Sequence, residues 1–211
     1  MIKPTIAVIG GTGKSGKYLV QQLLKNHFPV RLLNRNPGGL QLNDPLVQIV
    51  AGDARQYQSV YGLLEGSQAV ISTLGQPKGE ASIFSQATIN ILRAMAEHDI
   101  KRYIVTTGLS VDTPLDKKSG AIKAATDWMK ANYPETTFDK QEEYELLQQS
   151  SVDWTLVRLP LIEQTNEAPE VLLSLEDCPG EKISAASLAR FLVGQLNDVT
   201  YVKNAPFIAN R

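Results

Sequence analysis

At 211 residues, with 43% hydrophobic and 20% charged side chains, the chain has the size and composition of one globular domain with a substantial core, which excludes a disordered polymer. Its 21 basic and 22 acidic residues leave a net charge of −1, so composition makes no electrostatic case for nucleic acid or an anionic membrane. The single cysteine, Cys178, has no partner for an internal disulfide and reads as a reduced structural thiol, and no stretch approaches the ~18 apolar residues of a membrane span.

The first predicted strand, Thr5–Ile9, runs straight into a turn made of Gly10, Gly11, Thr12, Gly13, Lys14, Ser15 and Gly16. An amphipathic stretch beginning at Tyr18 follows at once. Strand, glycine-rich turn and helix in that order are the context that a dinucleotide fingerprint requires. Glycine serves where the chain turns tightly and where backbone must approach a pyrophosphate with no Cβ in the way. The helix then points its free N–H groups and positive dipole end at the phosphates. Gly13-Lys14-Ser15 also invites the phosphate-loop reading of ATPases, but that motif needs glycine at position 8, where a strand valine stands. Lys14 either adds charge near the phosphates or is an exposed first-turn lysine. The apolar run Ile6 to Ile9 is far too short for a signal peptide, so a cytoplasmic location is expected.

The second predicted strand, Val30–Leu33, ends in Asn34-Arg35-Asn36-Pro37 with no carboxylate. A carboxylate there serves the ribose of NAD, whereas a cation serves a 2′-phosphate, so Arg35 favours NADP(H) over NAD(H) unless it is simply a solvated arginine. After the third strand, Val47–Val50, come Gly52, Asp53 and Ala54. Asp53 is placed to accept from an adenine amino group, or to cap a helix near 55–64, and both can hold. The fourth strand, Ala69–Ser72, leads into Thr73, Leu74 and Gly75, which either face the ribose and nicotinamide side or form an ordinary strand-end turn. Ile83, Ala87, Ile91 and Met95 have helical spacing within 80–98.

A fifth strand, Tyr103–Thr106, precedes Thr107 and Ser110, and a sixth is expected at Thr155–Arg158. Ser184 is a plausible cap for a last helix carrying Leu188, Ala189, Leu192 and Leu196. Strands this continuously apolar are buried on both faces, and their alternation with helices implies a doubly wound, mostly parallel Rossmann-type α/β sheet in a single domain. The segments 108–120 and 160–183 have no clear period and follow strands, where such sheets bind ligands, so they are expected to be substrate-site loops or a small lid. His27 and His98 each follow a helix and read as structural, and no cluster has metal-ligand spacing.

These residues resemble a family. Ile6-Ala-Val-Ile-Gly-Gly-Thr-Gly-Lys-Ser-Gly16, Arg35, Gly52-Asp53, Ala69-Val-Ile-Ser-Thr-Leu-Gly75, Tyr103-Ile-Val-Thr-Thr-Gly-Leu-Ser110 and Val152-Asp-Trp-Thr-Leu-Val-Arg-Leu-Pro160 look, in order, like the atypical short-chain dehydrogenase/reductases. The similarity is to their NAD(P)H-binding group, which includes biliverdin/flavin reductases and NmrA-like redox sensors. The wider superfamily uses a Ser/Thr with a Tyr-x-x-x-Lys pair, in which tyrosine protonates the carbonyl that receives hydride. The resemblance puts Lys140 at the lysine position and Thr107 and Ser110 at the hydroxyl position, which makes Ser110 and Lys140 the catalytic candidates, unless Lys140 is a plain exposed helix lysine and the hydroxyls only stabilise a turn. Thr136, not tyrosine, stands four residues before Lys140, and Tyr133 has the wrong spacing across Pro134.

The resemblance therefore implies an oxidoreductase that uses NADPH to reduce a flavin, quinone or similar conjugated acceptor, which can draw its proton from water. A non-catalytic NADP(H) redox sensor is the second expectation, and a nucleotide-sugar epimerase is disfavoured by the short segment after the sixth strand. The partner expected is a small molecule, and the state a monomer or homodimer.

Overall fold

Six apolar runs of four to six residues become six strands, each within two residues of its expected bounds; five are mostly buried, and the third, at the sheet edge, is half-exposed. The computed structural model describes residues 3–39, 42–77 and 79–211. In chain order the elements are β1 (Ile6–Ile9), α1 (Gly16–Lys25), β2 (Val30–Asn34), β3 (Val47–Ala51), α2 (Tyr57–Leu64), β4 (Ala69–Ser72), α3 (Phe84–Glu97) and β5 (Arg102–Gly108). Then come α4 (Gly120–Asn132), α5 (Pro134–Gln149), β6 (Asp153–Leu159), β7 (Leu161–Glu163), β8 (Val171–Ser174), β9 (Lys182–Ser184), α6 (Ala185–Gly194) and β10 (Phe207–Asn210).

The main sheet runs β3-β2-β1-β4-β5-β6-β10-β8. All its neighbours pair in parallel except β8, which runs antiparallel to β10. The chain winds outward through β1, β2 and β3, then crosses back to β4 on the other side of β1. That reversal is the switch point at which open α/β sheets hold ligands.

Side chains alternate between the two faces, and both faces are covered. Ala7, Ile9, Val70, Tyr103, Val105, Trp154 and Leu156 pack with Val60, Leu63, Ala87, Ile91, Met95 and Leu147 from α2, α3 and α5. Ile6, Val8, Val30, Leu32, Ile71, Ile104 and Val157 pack on the opposite face with Leu19, Leu23, Leu188 and Leu192 from α1 and α6. Each such aliphatic side chain contributes ~1.5–3 kcal/mol on burial. The last helix starts as expected, with the Ser184 hydroxyl accepting from the Ser187 N–H at 3.0 Å.

Three expectations need correction. The segment 160–183 is not irregular: it holds β7 and β8 and most of β9, and β7 pairs with β9 in a separate two-stranded sheet. β7 and β9 have three residues each, too few to show a period, and β8 is only partly buried at the edge of the sheet. The carboxyl-terminal strand β10, also unforeseen, extends the sheet beside β6. Asp53 does not cap the helix that follows it, since α2 begins after Gln56. The histidines match their structural reading. His27 takes φ 58° just after α1, and His98 ends α3 with Nε2 3.0 Å from the Tyr61 carbonyl oxygen. Cys178 is a buried free thiol directed at the Gly180 carbonyl oxygen, 3.2 Å away, and burial raises its pKa. No helix among the described residues is long and apolar enough to cross a membrane.

Candidate active site

The glycine turn is shaped by close approach. Gly10 has φ 77°, a region that L side chains rarely enter, and a Cβ there would lie 2.6 Å from the Thr73 carbonyl oxygen. A Cβ on Gly16 would overlap the Gly10 carbonyl group. A Cβ on Gly11 would strike Leu32 and Val8 beneath the turn. Gly13 is different: its Cβ would meet only the Gly10 carbonyl oxygen, at 3.2 Å. Gly10, Gly11 and Gly16 therefore seat the turn on the sheet, while Gly13 leaves its outer side bare. Gly13 N–H donates to Gly10 at 3.0 Å, which closes the turn. Two of the first N–H groups of α1 are already engaged, Lys17 donating to the Gly13 carbonyl at 3.2 Å and Tyr18 to the Ser15 carbonyl at 3.1 Å, and the Ser15 side chain does not cap the helix. The backbone of the turn ahead of them would hold a pyrophosphate, with Thr12 and Lys14 exposed on it.

Thr73 braces this turn from β4. Its N–H donates to the Ile9 carbonyl at 2.9 Å and its hydroxyl to the Gly10 carbonyl at 3.3 Å. The Thr73 hydroxyl, expected to face the ribose, is buried and joins the two strands at the switch point instead. Leu74 and Gly75 continue from it along the rim, and Leu74 leans on the core cluster.

At the ends of β2 and β3 the structure assembles a network that the sequence did not reveal. Arg35 donates to Glu80 at 3.0 Å, Arg55 donates to Glu80 at 2.7 Å, and Arg55 also grips Asp53 at 2.6 Å. The hydrogen bond from the Arg55 side chain holds the Asp53 carboxyl below its ordinary pKa. The Asp53 Oδ1 also accepts from the Arg55 N–H at 2.9 Å. Ala54 is buried, and its carbonyl accepts from Asn90 of α3 at 2.9 Å. Arg55, an arginine two residues beyond Asp53, was the available clue; Glu80 gave none.

The catalytic candidates do converge. The point where a Cβ on Gly108 would lie is 3.8 Å from Lys140 Nζ and 4.0 Å from Ser110 Oγ, so α5 and the loop after β5 deliver both to the end of β5. Thr107 and Ser110 are buried, and neither hydroxyl has a partner among the described residues. Buried hydroxyls are ordinarily satisfied, so this pair fits a polar ligand group entering the corner. Lys140 Nζ stands over the Phe84 ring, 4.6 Å from its centre, and burial lowers its pKa against the pull of Glu143 and Asp139.

Two of the acids on α5, Asp139 and Glu143, are buried, and neither was singled out in the sequence. Asp139 accepts from the N–H groups of Phe84 at 2.7 Å and Ser85 at 3.1 Å and from the Ser82 and Ser85 hydroxyls, which ties α5 to the start of α3. Burial opposes the charge on Asp139, but those hydrogen bonds outweigh it and its pKa is lowered. Glu143 accepts from Thr88 at 2.8 Å, its second oxygen is buried with no partner among the described residues, and burial pushes its pKa up to about 7. The helix break at Tyr133 confirms that Pro134 opens a new helix. Tyr133 is exposed and packs edge-on against Trp128, with ring centres 5.9 Å apart. Tyr103 is fully buried, and burial raises its pKa and makes its phenol a weaker acid than an ordinary tyrosine.

The fold and the glycine turn define a Rossmann-type dinucleotide-binding domain. Residues 10–199 match the family model described as NAD(P)H-binding, and the chain belongs to that family. Among curated relatives it is 33% identical over 121 residues to an isoflavone reductase homologue of Nicotiana tabacum, covering 52% of this chain and 37% of that one. It is 28% identical over 110 residues to the decarboxylating sterol-4-alpha-carboxylate 3-dehydrogenase of Bos taurus, covering 49% and 30%. The matches thus span about a third of those relatives. Among solved structures, a short-chain dehydrogenase/reductase of Veillonella parvula in complex with NADP superposes with TM-score 0.79 at 15% identity, covering 100% of this chain and 95% of that one. ChuY, an anaerobilin reductase of Escherichia coli, superposes with TM-score 0.80 at 18% identity, covering 98% and 97%. At these identities the superpositions establish the fold.

Proposed function

We propose that the protein is an NADPH-dependent reductase that passes hydride to a flat conjugated acceptor, such as a flavin, quinone or linear tetrapyrrole. The observation that carries this reading is that Lys140 Nζ and Ser110 Oγ both lie beside Gly108, 3.8 and 4.0 Å from the point where a Cβ would stand, with no phenol at position 136. The turn from Gly10 to Gly16 would hold the pyrophosphate, Arg35 the 2′-phosphate, and Thr107 the nicotinamide end. The cofactor supplies the hydride. The protein orients the acceptor and excludes water from the corner, which accounts for much of the rate in such reactions. Ser110 donates a hydrogen bond to an acceptor oxygen or nitrogen. Lys140 favours the negative charge that hydride brings, and its lowered pKa makes it the better proton donor. The kinship with an isoflavone reductase homologue, and the likeness in fold to an anaerobilin reductase, are consistent with a conjugated acceptor.

The expected setting is the cytoplasm, as a monomer or homodimer, with a small molecule as the partner. The test is NADPH oxidation against flavins, quinones and anaerobilin. Turnover above background with one class supports the reading, and none with any class sinks it. The threonine at position 136 also suits a second reading, a redox sensor that binds NADP(H) without turnover. That reading predicts different affinities for the oxidised and reduced cofactor, because a ligand shifts a protein only through differential binding.

A further inference from the structure

The ends of β2 and β3 lie side by side, with Asn34 paired to Ala51. The chain beyond each end supplies an arginine, and both arginines reach one carboxylate. Arg35 takes Oε1 of Glu80 at 3.0 Å and Arg55 takes Oε2 at 2.7 Å. Arg55 is steadied from behind by Asp53, which accepts from its Nε and Nη2 at 2.6 to 3.1 Å. Glu80 itself sits on the segment between β4 and α3, held by the Gln76 side-chain amide, which donates to the Glu80 carbonyl at 2.8 Å.

Two guanidinium groups closing on one anion from two strand ends form a clamp for a multiply charged oxyanion. Its place is the rim where this fold puts the 2′ position of the adenine ribose. The clamp residues are partly exposed, and ion pairs in such surroundings are individually weak and readily exchanged. A phosphate offers three oxygens and nearly two charges where the carboxylate offers two oxygens and one.

We propose that Glu80 is a tethered competitor for the 2′-phosphate of NADP(H): it fills the Arg35–Arg55 clamp, yields it when the phosphate arrives, and so sets how strongly the protein discriminates NADP(H) from NAD(H). Arg55 is then a second ligand of the phosphate, and Glu80 a residue that weakens phosphate binding while leaving NAD(H) untouched. This inference rests on the dinucleotide reading of the turn from Gly10 to Gly16.

The experiment is calorimetric titration of the full chain, at one fixed ionic strength, with NADP+, NAD+ and adenosine 2′,5′-bisphosphate. The proteins compared are the unmodified one, Glu80→Gln and Arg55→Gln. Glu80→Gln should tighten NADP+ and the bisphosphate about fivefold and leave NAD+ unchanged. Arg55→Gln should weaken NADP+ and the bisphosphate about tenfold or more, again with NAD+ unchanged. Glu80→Gln that leaves NADP+ affinity unaltered or lowers it overturns the proposal, as does either variant shifting NADP+ and NAD+ by the same factor. Failure of the unmodified protein to bind either dinucleotide overturns the cofactor reading itself, and is distinct from a variant that binds both without discrimination. Thermal melts of each variant separate misfolding from lost affinity, and a melted variant is replaced by Glu80→Ala or Arg55→Lys for the same comparison.

Discussion

The guanidinium of Arg158, fully buried in β6, donates to the Asp116 carboxylate at 2.6 Å and so fastens the loop after β5 to the centre of the sheet. The same guanidinium donates to the carbonyls of Ala205, Val111 and Leu175 and stacks on Phe207, 3.5 Å from the ring centre. Lys118 works on the same loop, donating to the Leu109 carbonyl at 2.9 Å and to Asp112 at 2.6 Å. The 108–120 segment that carries Ser110 is therefore pinned by buried charge, although it has no regular structure.

That arrangement predicts a large cost for breaking the pair from one side. Asp116→Asn leaves a buried cation without its counter-charge and should destabilise the fold by about 3–5 kcal/mol. Urea unfolding measures it. A loss under about 1 kcal/mol would show that the loop does not depend on this bridge.

The glycine turn predicts a contrast between neighbouring substitutions. Gly10→Ala must enter a left-handed conformation and strike the Thr73 carbonyl, and should cost at least about 2 kcal/mol. Gly13→Ala has only one near contact, at 3.2 Å, and should leave the melting temperature nearly unchanged while weakening dinucleotide binding. Melting and cofactor titration of the two variants side by side check this. Equal losses of stability would contradict it.

Glu143 predicts a pH dependence of stability. Its pKa rises from an ordinary 4.5 to about 7 in the folded chain because burial penalises the carboxylate. Between those values the folded state holds a proton that the unfolded state has released, so stability falls as pH rises through that window. Above the window the loss is on the order of 3 kcal/mol. Glu143→Gln should be the more stable protein at alkaline pH and equal to the unmodified one below the ordinary carboxyl pKa. Denaturation midpoints across pH measure the difference, and a variant weakened equally at every pH would refute it.

Much of the site was readable in the chain because it is local. The turn from Gly10 to Gly16 lies between β1 and α1, and the apolar runs are strands because both sheet faces are covered. Lys140 and Ser110 are thirty residues apart, and only the resemblance to a family put them in one corner. Arg35, Arg55 and Glu80 meet across separations of 45 and 25 residues, set by strand order rather than by any motif. β8 and β10 stayed hidden, since the pairing that makes them strands joins positions more than thirty residues apart. Threonine at 136 was plain in the sequence; Tyr133 is exposed against Trp128, and Tyr103 is fully buried.

The central proposal is that Lys140 and Ser110 line the corner where bound NADPH would deliver its hydride. It is tested most directly by following the loss of nicotinamide absorbance with the best acceptor from the flavin, quinone and anaerobilin panel, comparing the unmodified protein with Lys140→Met at equal NADPH saturation. The account predicts turnover by the unmodified protein and a fall in kcat of about a hundredfold or more in the variant. Equal rates for the two proteins, or no oxidation by the unmodified protein with any acceptor, would contradict it.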